Sequence, residues 1–209
     1  GALKGPSIMP GGHPNAYAEV KPFLEAIAAK DKNGFPCCTY IGTAGSGHFV
    51  KMVHNGIEYA EMQLLAEVYQ LCRFGRAMTP EQIADLFESW RPDGLDSYLL
   101  EITIDILRKK EDDDYLIDHI LDKAGNKGTG NWTTVAASQL GYPATMITTA
   151  LYARYVSAYK SDRAEASEVY GFEQRSAATL TSDECVFEAS QATRCAGPRA
   201  RALTSTTFT

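Results

Sequence analysis

From Ser46 or Gly47 to about Arg73 the chain runs without a proline, and Gly75 stands where such a run would end. A stretch of that length and periodicity is a long helix, and a long helix commits the rest of the chain to packing against it. Further segments carry the same three-and-four spacing. Thr79-Pro80 leads into Trp90 with the proline at the first helical position, and Leu95 to Lys109 and Tyr115 to Ala124 follow. Asn131 to Leu140 and Ala144 to Lys160 continue the series across a Gly141-Tyr142-Pro143 break, and Asp162 to Val169 adds a last helix.

The start of the chain is different. Residues 1 to 13 are rich in Gly and Pro and read as a loop around a short extended Ser7-Ile8-Met9. Asn15 then caps a helix carrying Tyr17, Val20, Phe23, Leu24, Ile27 and Ala28, and a short strand from Cys37 to Ile41 follows Asn33-Gly34. The expected fold is therefore mainly α, a multi-helix domain with a short α+β segment at the amino terminus. The run from Lys109 to Asp114 reads as a solvated connection. After Tyr170 the texture changes: residues 171–209 contain no lysine and no sustained apolar period, and are expected to be a disordered tail. Gly1 in place of Met suggests a cut from something longer.

Charge narrows the function. With 20 basic and 26 acidic residues the net charge is −6, which argues against a nucleic-acid footprint and leaves anionic small molecules to local basic residues. No stretch approaches the roughly 20 apolar residues of a membrane span, and no basic-then-apolar leader opens the chain. The expectation is a soluble cytoplasmic protein, with a plastid as the alternative. The 5 cysteines form no CxxC pair and read as free thiols. His13, His48 and His119 have no metal-ligand spacing, so no metal is assigned.

Chemistry concentrates on the long helix. With Lys51 at zero and 100° per residue, His54 falls at about −60°, Asn55 at about +40°, Glu58 at about −20° and Tyr59 at about +80°. Phe49, Val50, Met52, Val53, Gly56, Ile57 and Ala60 cover the remainder, so the helix is expected to be buried nearly all round. A narrow polar stripe on such a helix is either an internal network or the lining of a ligand site, and periodicity leaves both open. A lysine is a good base when its pKa is lowered, and a glutamate a good acid when burial raises its own. The loop from Gly125 to Gly130, with Lys127 and then Thr129, could present N–H groups and a cation to a phosphate, though it is neither a Walker loop nor a GxGxxG turn. Arg154, among Ile147, Leu151, Tyr155 and Val156, is a buried-cation candidate for an anion.

Three ordered strings now stand out: Lys4 to Gly12 (KGPSIMPGG), Gly47 to Tyr59 (GHFVKMVHNGIEY) and Lys127 to Thr133 (KGTGNWT). Together they resemble decarboxylating 6-phosphogluconate dehydrogenases, and Gly45, Gly47, Lys51 and Asn55 also meet the broader β-hydroxyacid dehydrogenase pattern GxGxxxKxxxN. The resemblance covers residues 1 to about 170. It implies the end of a coenzyme-binding domain at 1–43, a helical substrate and dimerisation domain at 44–170, and a divergent tail at 171–209. It implies that Lys51 takes the proton from the substrate 3-hydroxyl and that Glu58 protonates the enediol left after carbon dioxide departs. His54 and Asn55 would be substrate contacts, and Tyr59, Lys127 and Arg154 would hold the phosphate. It further implies NADP as hydride acceptor, 6-phosphogluconate as substrate, ribulose 5-phosphate as product, no metal, and a homodimer. The family's NADP turn is missing from these residues, so the chain alone is expected to be inactive and to expose apolar surface. The alternatives are a non-catalytic helical binding module and a helical structural protein whose polar stripe is internal glue.

Overall fold

The computed structural model describes residues 4–170. The helix α1 (Pro14–Ile27) connects two extended segments that run parallel to one another. The Ile8 N–H donates to the Cys37 carbonyl at 2.9 Å, the Ile41 N–H to Pro10 at 2.8 Å and the Gly12 N–H to Gly42 at 2.9 Å. Parallel pairing needs a crossover of about a dozen residues, which α1 supplies. The pairing stays at isolated bridges rather than the continuous strand expected over Cys37 to Ile41, because Pro6, Pro10 and Pro36 bring no N–H to a ladder. The cap of α1 is also not Asn15. Pro14 takes the first helical position, and the His13 ring accepts from the Asn15 N–H at 3.2 Å.

The long helix α2 (Ser46–Gln70) continues through a widened turn, Leu71–Gly75. α3 (Pro80–Trp90) opens on a capping box between Thr79 and Gln82, and α4 (Tyr98–Arg108) opens where the Ser97 hydroxyl accepts from the Leu100 N–H. That cap sets α4 three residues later than the expected Leu95, since Gly94 turns the backbone at φ 89°. The acidic run after it is exposed, but it folds as a hairpin rather than a plain connection: β1 (Lys110–Glu111) pairs antiparallel with β2 (Asp114–Tyr115). Asp112, at φ 53°, makes that tight turn.

The helix expected over Tyr115 to Ala124 shrinks to one 3-10 turn, Leu116–His119. Tyr115 is held extended in the hairpin, Ile117 packs into the core, and Arg73 fixes Asp118 at 3.2 Å. These tertiary anchors outweigh local helical preference. α5 (Thr129–Gln139), α6 (Thr145–Ala158) and α7 (Lys160–Tyr170) complete the described residues, the three helices expected there, with α5 starting two residues earlier and Lys160 opening α7 instead of ending α6. The reading of a disordered tail over 171–209 lies outside the described residues.

Two apolar clusters share α2. Val68 and Cys72 pack with Ile83, Ala84 and Phe87 of α3 and with Leu100, Ile104 and Leu107 of α4. Tyr59, at the middle of α2, packs with Ala150 and Leu151 of α6 and with Met62. Contrary to expectation α2 is not buried nearly all round. Only Gly47, Gly56, Tyr59 and Val68 are buried and Phe49 is 47% exposed; from Val50 to Leu65 the other residues are half-buried, with α4, α5 and α6 as the helix's neighbours among the described residues. The expected apolar surface is present on α5 and α6 at Trp132, Val135, Tyr152, Val156 and Tyr159. Among the described residues no helix is long and apolar enough to cross a membrane.

Candidate functional site

The amino-terminal end of α2 lies directly on the Met9 to Gly11 segment. A Cβ on Gly47 would stand 2.1 Å from the Met9 carbonyl oxygen, so glycine is required for this approach. One turn on, the polar stripe begins. Lys51 Nζ lies 3.4 Å from His54 Nδ1, and the same nitrogen lies 3.6 Å from a Glu58 carboxylate oxygen. All three side chains are half-buried. His54 Nδ1 accepts from Lys51 when it is unprotonated and donates toward Glu58 when it carries a proton, so the tautomer chooses the partner.

The Glu58 carboxyl is held below the usual carboxylate range, first by the imidazole of His54 and further by the charge of Lys51; partial burial works in the opposite direction. Burial therefore does not raise this glutamate as a ready-made acid would require. At 38% side-chain exposure desolvation is too weak to outweigh the adjacent His54, and Glu58 rests as a carboxylate. Asn55 is half-buried on the same face.

Tyr59 leads to a second lobe. Its ring is buried, with the Arg154 guanidinium 3.9 Å from the ring centroid, and its hydroxyl donates to Asn126 Oδ1 at 3.3 Å. Arg154 is half-buried, not enclosed in apolar surroundings as its helix suggested. It donates to the Gly125 carbonyl at 2.7 Å and approaches Met62 Sδ at 3.5 Å, because α6 faces the glycine loop along this edge. The Ala124 N–H donates to Ser157 Oγ at 3.0 Å. Gly128, at φ 101°, ends the loop and starts α5. Lys127, at the loop's apex, is exposed.

The crossing of α2 and α5 brings the lobes together. Cβ atoms on Gly56 and Gly130 would stand 2.9 Å from the Thr133 side chain and 2.6 Å from the Tyr59 ring. The buried Thr133 hydroxyl donates within reach of both the Met52 and Thr129 carbonyls, at 2.9 and 2.8 Å. The expected residues thus form a contact chain of Lys51, His54 and Glu58 next to an anion-type lobe of Tyr59, Arg154 and the Lys127 loop. Sequence reasoning gave no role to Asn126 or Tyr155, although an asparagine two residues before a glycine is a recognisable turn signal. Among the described residues no three His, Cys, Asp or Glu side chains cluster in a way that could hold a metal ion.

The profile of the 6-phosphogluconate dehydrogenase C-terminal domain matches residues 47–198. The chain belongs to the 6-phosphogluconate dehydrogenase family. The match runs past residue 170, where the motif resemblance ended, and residues 1–42 match the NAD binding domain of 6-phosphogluconate dehydrogenase. The decarboxylating 6-phosphogluconate dehydrogenase of Escherichia coli strain K12 is 55% identical over 170 residues, covering 81% of this chain and 36% of the bacterial protein. That of Raoultella planticola is 54% identical over 170 residues, covering 81% and 38%. The solved Plasmodium falciparum enzyme, studied free, with its cofactor NADP+ and with its substrate 6-phosphogluconate, superposes with a TM-score of 0.77 at 44% identity. It covers 83% of this chain and 38% of that one. The 209 residues span little more than a third of these relatives. Within the family the helices from α2 onward are of the C-terminal-domain type.

Proposed function

We propose that these residues carry the substrate side of a decarboxylating 6-phosphogluconate dehydrogenase, binding 6-phosphogluconate between the α2 stripe and the glycine loop. One observation carries this reading: a lysine and a glutamate both lie against one histidine nitrogen, and the glutamate stands one residue from a tyrosine that is stacked on an arginine and bonded to a basic glycine loop. Tyr59, Lys127 and Arg154 receive the phosphate, and Asn55 and His54 hold the sugar-acid chain. Lys51 accepts the proton of the 3-hydroxyl as that carbon is oxidised. After carbon dioxide leaves, Glu58 is the residue that returns a proton to the enediol. Because Glu58 rests as a carboxylate, it must first be protonated, and His54 Nδ1 lies between it and the proton that Lys51 has taken.

In the family reading NADP is the hydride acceptor. A dinucleotide needs a glycine-rich turn between a strand and a helix for its pyrophosphate, and among residues 4–170 no such turn is formed, so the described residues do not fit the whole coenzyme. The part that they do form is the proton-transfer and phosphate-holding part. The outward apolar faces of α5 and α6 support a homodimer as the assembled form.

The direct test is a thermal titration of the chain with 6-phosphogluconate. At 100 times the dissociation constant the fold should gain about 2.7 kcal/mol, and Lys127→Ala and Arg154→Ala should each markedly reduce the shift at the same concentration. A folded chain that shows no shift, or controls that shift as much as the unaltered chain, would sink the reading.

A further inference from the structure

The glycine loop is exposed, yet one side chain in it bonds to the loop's own backbone and to two helices. Asn126 Oδ1 accepts from the Gly128 N–H at 2.9 Å and from the Tyr59 hydroxyl at 3.3 Å, while its Nδ2 donates to the Tyr155 hydroxyl at 3.3 Å. The first bond closes an Asx turn whose middle residue is Lys127. The second reaches α2 and the third reaches α6. Around this knot the Arg154 guanidinium grips the Gly125 carbonyl at 2.7 Å, so both flanks of the turn are tied to fixed helices.

Resting on the substrate reading above, we propose that Asn126 is the positioning residue of the phosphate lobe. It sets the direction of the Lys127 ammonium by closing the turn beneath it, and it holds the Tyr59 hydroxyl at the loop. The residue type follows from the inventory of bonds. The position needs one oxygen with two lone pairs and one N–H donor on a side chain short enough for an Asx turn, and asparagine alone supplies this set. Aspartate keeps the oxygen, loses the donor to Tyr155 and sets a negative charge beside a phosphate. Glutamine is one methylene too long for the turn. Alanine keeps nothing.

This role makes Asn126 act through Lys127, and that is what separates it from a residue that merely stabilises the fold. The test has one arm without ligand and one with it. In the ligand-free chain, NMR exchange of the Gly128 amide with water should rise about tenfold in Asn126→Ala, the loss of one ordinary hydrogen bond, and stay near the unaltered rate in Asn126→Asp. In calorimetric titrations with 6-phosphogluconate, Asn126→Ala should weaken binding about tenfold in the unaltered background and by distinctly less when Lys127 is already alanine, where only its hold on Tyr59 is left to lose. Asn126→Asp should weaken it at least as much although its turn is intact. Tyr155→Phe, which retains the ring and removes only the acceptor, should weaken binding without lowering the melting temperature. Unchanged Gly128 exchange in Asn126→Ala, or effects of Asn126→Ala and Lys127→Ala that simply add, would overturn the proposal. Absence of 6-phosphogluconate binding in the unaltered chain would instead sink the substrate reading, and the exchange arm would still decide whether Asn126 sets the loop.

Discussion

Single residues in this chain draw their chemistry from contacts one turn apart on α2 and from contacts far apart in sequence. The first kind was legible: Lys51, His54, Asn55 and Glu58 share a helical face by arithmetic, and the structure puts three of them in contact. The second kind was not, because the bond from Tyr59 to Asn126 spans 67 residues and depends on where the glycine loop closes. The state of Glu58 was not legible either, since exposure could not be read from the sequence. Its folded pKa lies below its unfolded value, so its contribution to stability is present above the ordinary carboxylate pKa and is lost as pH falls through the folded one. His54→Ala removes the first cause of that depression. In a carbon-13 NMR titration the Glu58 carboxyl of this variant should titrate at higher pH than in the unaltered chain, approaching the ordinary carboxylate range; an unmoved titration would show that Lys51, not His54, controls it.

At the scale of elements, α3 was readable to the residue. Thr79-Pro80 places the start of α3 without help from tertiary structure, because the capping box lies wholly within four residues. The segment after Tyr115 was misread because its conformation is imposed by Arg73 and by the core around Ile117. The α2–α5 crossing belongs to the same class: nothing local to Gly56 or Gly130 says that a helix will lie against it. Overpacking such a contact costs about 1–3 kcal/mol, so Gly130→Ala should lower the thermal midpoint measurably and, by displacing the Tyr59 ring, weaken 6-phosphogluconate as well. Gly125→Ala is the matched control. A Cβ there meets nothing within 4 Å, and its midpoint should stay close to that of the unaltered chain. Equal midpoints for the two variants would mean that the crossing is looser than its geometry.

For the molecule as a whole, α2 is the spine on which two cores sit, and the asymmetry between them carries a consequence. The α2–α3–α4 core is closed, with Ile83, Ala84 and Phe87 fully buried. The α2–α5–α6 core is closed on one side only. Helix α6 buries Ala150 and Leu151 against Tyr59, yet its opposite face offers Tyr152 at 57%, Val156 at 58% and Tyr159 at 61% exposure, while α5 adds Trp132 at 57%. A helix that is apolar on both faces belongs between two layers, and the described residues supply one of them. The sequence did show that α6 is apolar, but not which face turns outward, since that depends on where Leu151 docks. A self-complementary second layer is what a twofold dimer provides, each partner giving about 800 Å² in a standard interface. Sedimentation of the chain should therefore show a dimer at micromolar concentration, and Val156→Lys should shift it toward monomer. Because Val156 lies on the face away from the α2 core, that variant should leave Leu151 packing intact, seen as an unchanged near-ultraviolet spectrum of the tyrosines. A chain that sediments as a monomer at high micromolar concentration would remove the apolar face as evidence for a homodimer, and the outward tyrosines would then need a different partner.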